Sequence, residues 1–147
     1  MNQVVVKQEK SGYQIVEAYK SLRTNLQFCG EDKKVIAITS CTPNEGKSSV
    51  SMQLGISLAE IGKRVILIDA DLRKSVLLGR TKTEKSVRGL AHFLSGQASL
   101  EDVICATNIK NFYMIYSGPF PPNPAELLGG KNFRSLLNAP VSYTHLR

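Results

Sequence analysis

Apolar positions recur with two different periods along the chain, and the change of period marks its elements. From Tyr13 to about Phe28, the residues Ile15, Tyr19, Leu22 and Leu26 recur at spacings of four, three and four, which predicts a helix with one apolar face. Glu17, Lys20 and Arg23 form a charged stripe on another face, which by itself reads as a solvated surface with a weak intrahelical ion pair. Residues 1–12 are polar apart from a short valine run and read as an extended arm. The apolar run Val35-Ile36-Ala37-Ile38-Thr39 predicts a buried strand over 35–39, followed by a tight loop and a helix over 47–61. Val50, Leu54, Leu58 and Ile61 would line that helix's buried face, and Gly62 is a natural stop. Val65-Ile66-Leu67-Ile68 is continuously apolar and rich in β-branched residues, as a strand covered on both faces would be. Strand, helix and strand in this order imply a right-handed crossover and a parallel sheet.

The remainder is shorter in period. Residues 90–94 read as a helix ending at Gly96, and Ser99-Leu100-Glu101-Asp102 has the form of a capping box opening another. Residues 112–116 are a further strand candidate. The run Gly118-Pro119-Phe120-Pro121-Pro122-Asn123-Pro124 is a rigid turn into a helix over 124–137, with Asn123 as cap, Pro124 at the first helical position and Glu126 completing the box. Gly129 and Gly130 weaken the centre of that helix.

At 147 residues and 42% hydrophobic content, the chain is one domain able to bury a core. No apolar stretch approaches the length of a membrane span, so no direct membrane span is expected. Cys29, Cys41 and Cys105 are odd in number and lack Cys-x-x-Cys spacing, which fits a reducing cytoplasm and neither a disulfide framework nor a zinc site. Cys41 reads as a small filler in its loop. The net charge of +7 is spread out, and its one cluster, over 80–88, is broken by Glu84. That pattern reads as a solvated loop, so nucleic acid is not an expected partner, whereas an acidic membrane-proximal partner is compatible with it.

Chemistry enters at Cys41-Thr42-Pro43-Asn44-Glu45-Gly46-Lys47-Ser48-Ser49, between the 35–39 strand and the helix that follows. A Gly-Lys-Ser placed there cradles phosphates. Backbone N–H groups and the positive helix end point at the anion, the lysine adds a mobile charge, and the serine hydroxyl can hold Mg²⁺. Asp69 and Asp71 stand where the second strand ends, at the carboxyl rim where ligands of open α/β sheets bind. Two aspartates clustered there are costly unless a cation or a proton relay uses them, although either one could cap the next helix.

Taken together, these residues resemble one family, the bacterial tyrosine kinases of capsular and exopolysaccharide assembly, which use a P-loop ATPase fold. Ile38-Thr39-Ser40 with Pro43 and Glu45-Gly46-Lys47-Ser48 is similar to that family's Walker A motif. Ile66-Leu67-Ile68-Asp69-Ala70-Asp71-Leu72-Arg73 resembles its Walker A′ motif, an apolar run followed by Asp-x-Asp-x-Arg. Glu17-Ala18-Tyr19-Lys20-Ser21-Leu22-Arg23 resembles the helix motif through which the family assembles into rings, and residues 117–128 resemble a further family segment. The likeness covers roughly residues 13–138.

The resemblance implies an α/β P-loop NTPase fold: a doubly wound, mainly parallel sheet with flanking helices, spanning 13–140 behind the 1–12 arm. It implies ATP and Mg²⁺ as cofactors and autophosphorylation on tyrosine. Lys47 would neutralise the terminal phosphates, and Thr42, Asn44, Glu45, Gly46, Ser48, Ser49 and Arg73 would complete the nucleotide site. Ser48, Asp69 and Asp71 would serve the metal, with Asp69 also the choice for the group that takes the tyrosine proton; the division of roles between Asp69 and Asp71 stays open. Glu17, Lys20 and Arg23 would join copies of the chain into a ring-like homo-oligomer. Further implied partners are a membrane polysaccharide co-polymerase acting as adaptor and a cognate phosphotyrosine phosphatase. The implied location is cytoplasmic, peripheral at the inner face of the plasma membrane.

The chain departs from the family pattern at several positions. Cys41 replaces a small residue at the first loop position, Asn44 stands where glycine is common, and Lys20 stands where the assembly motif has arginine. The family's Walker B strand would follow the helix ending near Asn138, and neither it nor the C-terminal tyrosine cluster is found in 139–147, where Tyr143 is the one tyrosine. Residues 141–147 break with the family pattern and read as a non-native tail, so the expectation is a C-terminally truncated domain. The alternatives are a nucleotide-binding but catalytically inactive subunit and a partitioning-type P-loop ATPase. Partitioning ATPases carry a signature lysine five residues before the loop lysine, a position held here by Thr42.

Overall fold

The computed structural model describes residues 1–8, 10–42, 46–77, 81–83 and 87–138. The expected non-native tail, 141–147, with Tyr143, lies outside the described residues, as do Pro43, Asn44, Glu45, Arg80 and Glu84. In chain order the elements are β1 (Asn2–Val6), α1 (Tyr13–Phe28), α2 (Lys47–Glu60), β2 (Val65–Ile68), β3 (Thr81–Thr83), α3 (Leu90–Leu94), α4 (Leu100–Val103), β4 (Cys105–Thr107), β5 (Phe112–Ile115), α5 (Pro124–Leu128) and α6 (Lys131–Asn138).

The five strands form one sheet in the order β2-β5-β4-β1-β3. β2 pairs with β5 and β1 with β4 in parallel, whereas β4–β5 and β1–β3 are antiparallel. The sheet is thus α/β and helix-flanked as expected, but mixed in direction. The physical reason lies between β4 and β5: four residues are too few for a parallel crossover, and Asn111, at φ 65°, closes the reversal as a tight turn.

Alternation along the strands divides the core in two. Val65, Leu67, Phe112, Met114 and Tyr116 face one way and pack with Met52, Ile56 and Ala59 of α2, together with Val4 and Val6. Ile66, Ile68, Tyr113 and Ile115 face the other way, against Leu90, Leu94, Val103 and Leu136 of the later helices. Helix α2 therefore covers one face of the sheet while α3 to α6 cover the other, and α1 lies outside α2.

Four sequence expectations are corrected here. Residues 2–6, expected within a free arm, are a strand flanked on both sides by others, because Val4 and Val6 alternate inward at 2% exposure each. The 35–39 strand is not formed: residues 33–40 carry no regular structure, and Val35 and Ile36 are 55% and 46% exposed. Among the described residues no strand pairs with this segment, and without a ladder its apolar content does not make a strand. Helix α2 buries Met52, Leu54, Gly55, Ile56, Ser57 and Ala59, not the single stripe expected, because it is wedged between the sheet and α1. The helix expected over 124–137 is two helices, with Gly129 capping α5 before α6 begins.

The tightest contact in the first core is at Gly55, where an added Cβ would stand 2.7 Å from Cε2 of Phe112. Gly55→Ala is expected to cost about 1–3 kcal/mol by overpacking, with partial relief in the Phe112→Leu background. Urea denaturation measures this, and an unchanged midpoint in Gly55→Ala would show that α2 and β5 are not packed this closely.

Candidate nucleotide site

The site is assembled from the start of α2 and the chain leaving β2. Gly46 precedes α2 with φ 80° and ψ 15°, a left-handed conformation that glycine adopts without steric cost. Its carbonyl accepts from the Val50 N–H at 2.9 Å, so the first helical turn is closed. Lys47 is the first residue of the helix, followed by Ser48 and Ser49, all half-buried. The result is a helix N-terminus with its partial positive charge and a lysine on the same edge.

On the other side, the ladder between β2 and β5 extends one step beyond the strand, since the Asp69 N–H donates to the Ile115 carbonyl at 2.9 Å. That bond fixes the backbone from which Asp69 projects. Its Oδ1 accepts from the Asp71 N–H at 3.1 Å, and its Oδ2 accepts a short hydrogen bond from the Ser75 hydroxyl. Asp71 in turn uses Oδ1 to accept from the N–H groups of Arg73, at 3.3 Å, and Lys74, at 2.9 Å. Its Oδ2 faces Lys47 Nζ at 3.8 Å. The aspartates thus differ in kind: Asp69 is 7% exposed, whereas Asp71 is half-buried at the rim.

Burial pushes the Asp69 carboxyl above its ordinary range. The hydrogen bonds from Ser75 and the Asp71 N–H pull it back, the Asp71 charge raises it and the Lys47 charge lowers it. A carboxylate in this setting is an expensive group to keep ionised, and the bonds from Ser75 and Asp71 are what hold it in one orientation.

The residues expected to form the site are only partly brought together. Lys47, Asp69 and Asp71 converge, with Gly46, Ser48 and Ser49 alongside. Thr42 is exposed, its carbonyl accepting from the Ser40 hydroxyl at 3.2 Å, and the Arg73 side chain is exposed while its N–H serves Asp71. Asn44 and Glu45 lie outside the described residues. In α1, Glu17 and Lys20 pair at 3.4 Å within the helix, and Arg23 turns inward to α2. Ser75 was not singled out in the sequence; its place in the loop after Asp-x-Asp was the only signal available.

The two aspartates also meet the demands of a Mg²⁺–nucleotide. Mg²⁺ is held through one or two carboxylates plus phosphates and water, not through an all-protein cage, and among the described residues no group of three or more His, Cys, Asp or Glu forms such a cage. Asp71 Oδ2 has only the long lysine contact to give up. Two cavities elsewhere are less suited. One of about 280 Å³ lies between α3, α5 and α6, and one of about 410 Å³ lies at the opposite rim, around Arg64, Lys110 and Asn111.

The raised Asp69 carboxyl has a stability consequence. Below its ordinary value of 3.8 the group is protonated both folded and unfolded; as pH rises through the higher folded value, stability is lost. Asp69→Asn, which keeps the shape, is therefore expected to be more stable than the parent at pH 7, with a gain that shrinks as pH falls towards 3.8. Urea titrations across that range check it; a variant less stable than the parent at pH 7 would contradict the burial argument.

Comparison with known proteins gives concordant results. The family described as AAA domain matches residues 33–133. The chain is 44% identical over 123 residues to the tyrosine-protein kinase CpsD of Streptococcus agalactiae, covering 84% of this chain and 54% of that protein. It is 43% identical over 122 residues to the tyrosine-protein kinase YwqD of Bacillus subtilis, covering 82% of this chain and 51% of that protein. Among solved structures, the kinase domain of the Escherichia coli tyrosine kinase ETK superposes with a TM-score of 0.77 at 38% identity, over 84% of this chain and 49% of that one. The chain spans about half the length of the curated relatives it matches.

Proposed function

The chain belongs to the AAA-domain family of P-loop proteins, among bacterial tyrosine kinases, and we propose that it is the ATP-gripping part of a protein-tyrosine kinase that regulates capsular or exopolysaccharide synthesis. Family membership implies nucleotide binding. The observation that carries the proposal further is the approach of Lys47, at the start of α2, to the Asp71 carboxylate beside the buried Asp69.

In phosphoryl transfer the protein mainly positions groups and stabilises charge. Lys47 would leave Asp71 for the terminal phosphates of ATP, and the amides at the start of α2 would hold the phosphate chain. Ser48 and Asp71, with Asp69 behind them, are the residues that would hold Mg²⁺. The ion, when bound, supplies positive charge that neutralises phosphate oxygens. Asp69 is assigned the tyrosine hydroxyl proton: a carboxylate is a weak base towards a phenol in water, and burial raises its proton affinity and keeps water away. Ser75 holds the Oδ2 of that carboxylate. Arg73 steadies phosphate charge from the rim.

The proposed partners are those of the assembly motif. A second copy of the chain docks on α1, where Tyr13, Ile15, Val16, Leu22 and Phe28 are exposed and Glu17 and Lys20 are close to solvent. A membrane-bound polysaccharide co-polymerase acts as adaptor and a cognate phosphatase reverses the modification. Among the described residues no helix is long and apolar enough to cross a membrane, so the proposed place at the inner membrane face depends on the adaptor.

The test is a radiolabelled-ATP assay with and without the adaptor's cytoplasmic tail. Phosphotyrosine is the expected product; free phosphate alone would indicate an ATPase, and neither would indicate a catalytically inert subunit. Lys47→Ala is expected to reduce transfer by about 10²–10³-fold, in line with loss of one preorganised charge at a transferring group. Asp69→Asn is expected to abolish single-turnover transfer. Were it to stay active while Asp71→Asn failed, the roles of the two aspartates would be reversed.

A further inference from the structure

Helix α1 is held unusually lightly. None of its 16 residues is buried, and no side chain caps its first turn. It lies against α2, and among the described residues Arg23 makes side-chain hydrogen bonds between the two helices. Arg23 Nη1 donates to the Ser57 carbonyl oxygen at 2.9 Å and approaches the Ser57 hydroxyl oxygen at 3.2 Å. Ser57 is a polar residue only 6% exposed, so this contact is made in a largely dry place.

The place matters because Ser57 opens the last four residues of α2, Ser57–Glu60. The carbonyl end of a helix carries the negative end of its dipole; here the Leu58 and Ala59 carbonyls accept from the Lys63 and Gly62 N–H groups at 3.3 and 3.0 Å, and the Ser57 carbonyl accepts from Arg23. Basic residues in the last turn commonly serve that end, and α2 has none there. Arg23 adds from α1 a cation at an end whose last turn holds no basic residue, beside Lys63 and Arg64 in the chain just beyond it. At its other end, the same helix presents Gly46, Lys47 and Ser48 to the nucleotide. One rigid element therefore runs from the arginine to the phosphate-binding edge.

The charged stripe of α1 is accordingly divided. Glu17 and Lys20 pair with each other, each with close to half its side chain in solvent, whereas the Arg23 guanidinium is engaged inside its own chain. We propose that Arg23 is a positioning residue of the nucleotide site: by capping the carbonyl end of α2 in cis, it fixes the helix whose other end binds phosphate. A partner bound on α1 then acts on Lys47 through this strut. The proposal deepens the nucleotide-site reading above and rests on it for its functional consequence, though not for the strut itself.

The experiment uses the full chain at concentrations where sedimentation velocity shows single copies, which removes any contribution of Arg23 to a subunit contact. Two readouts are compared: hydrogen exchange of α2 amides, and titration with a fluorescent N-methylanthraniloyl ATP. Arg23→Ala is expected to accelerate exchange along α2 as far as its first turn and to weaken nucleotide binding by about three- to tenfold, the scale of losing one charge-assisted cap. Arg23→Lys, which keeps a cation, should recover most of both effects, and Ser57→Ala, which keeps the carbonyl, should lose less than Arg23→Ala. If Arg23→Ala does not fold, Arg23→Gln carries the same comparison. The proposal is overturned if exchange rises in α1 alone, or if affinity falls only at concentrations where the chain assembles. If the parent binds no nucleotide, the reading of the site fails, and the exchange comparison still decides whether Arg23 holds α2.

Discussion

The parallel ladder between β2 and β5 is the constraint on which the other features depend. It pairs Val65 with Phe112 through Ile68 with Ile115, and the Asp69 N–H continues it by one bond. Because a strand alternates its side chains, this ladder fixes which residues face α2 and which face the later helices, so both halves of the core are defined by one register. A slip of one residue would exchange the two faces and remove Asp69 from the rim where Lys47 waits. The place of Asp69 at the rim is thus a continuation of sheet register.

At that rim the electrostatics are arranged in opposition. The start of α2 and Lys47 are positive, while Asp69 and Asp71 are negative, and the lysine lies 3.8 Å from Asp71. The pair is partly solvent-exposed, and pairs of that kind contribute at most about 1 kcal/mol. A contact of that size is one that a competing anion at Lys47 displaces at little cost. Asp69 is different: its burial costs stability whenever it is ionised, and Ser75 and the Asp71 amide make that state tolerable. By that measure an amide of the same shape would be the more stable choice at this position.

Much of this was legible in the sequence where local chemistry decides structure. The period of α1, the Gly46-Lys47 helix start, the Val65–Ile68 strand ending in Asp-x-Asp and the Ser99–Asp102 capping box all follow from patterns a few residues long. What was not legible depends on partners distant in the chain. The valines of β1 read as an arm because their neighbours in the sheet, β3 and β4, lie 75 or more residues away. The 35–39 run has the content of a strand, but content cannot supply the flanking ladders that a strand needs. Ser75 and Ser57 are ordinary serines in the sequence, and only their placement beside Asp69 and Arg23 gives them a role.

The same distinction bears on Arg23. A charged residue on a helix that also carries exposed Ile15, Leu22 and Phe28 reads naturally as part of an intersubunit surface. Yet a guanidinium that satisfies a buried carbonyl in its own chain cannot leave for a partner without stranding that carbonyl, at a cost of about 1–3 kcal/mol. The apolar residues of α1 have no such commitment, and they bury surface when another copy covers them. Assembly and nucleotide binding can therefore use the same helix without competing for the same side chain: the outer face is free to bind a partner, while the inner arginine keeps α2 aligned with its phosphate-binding end.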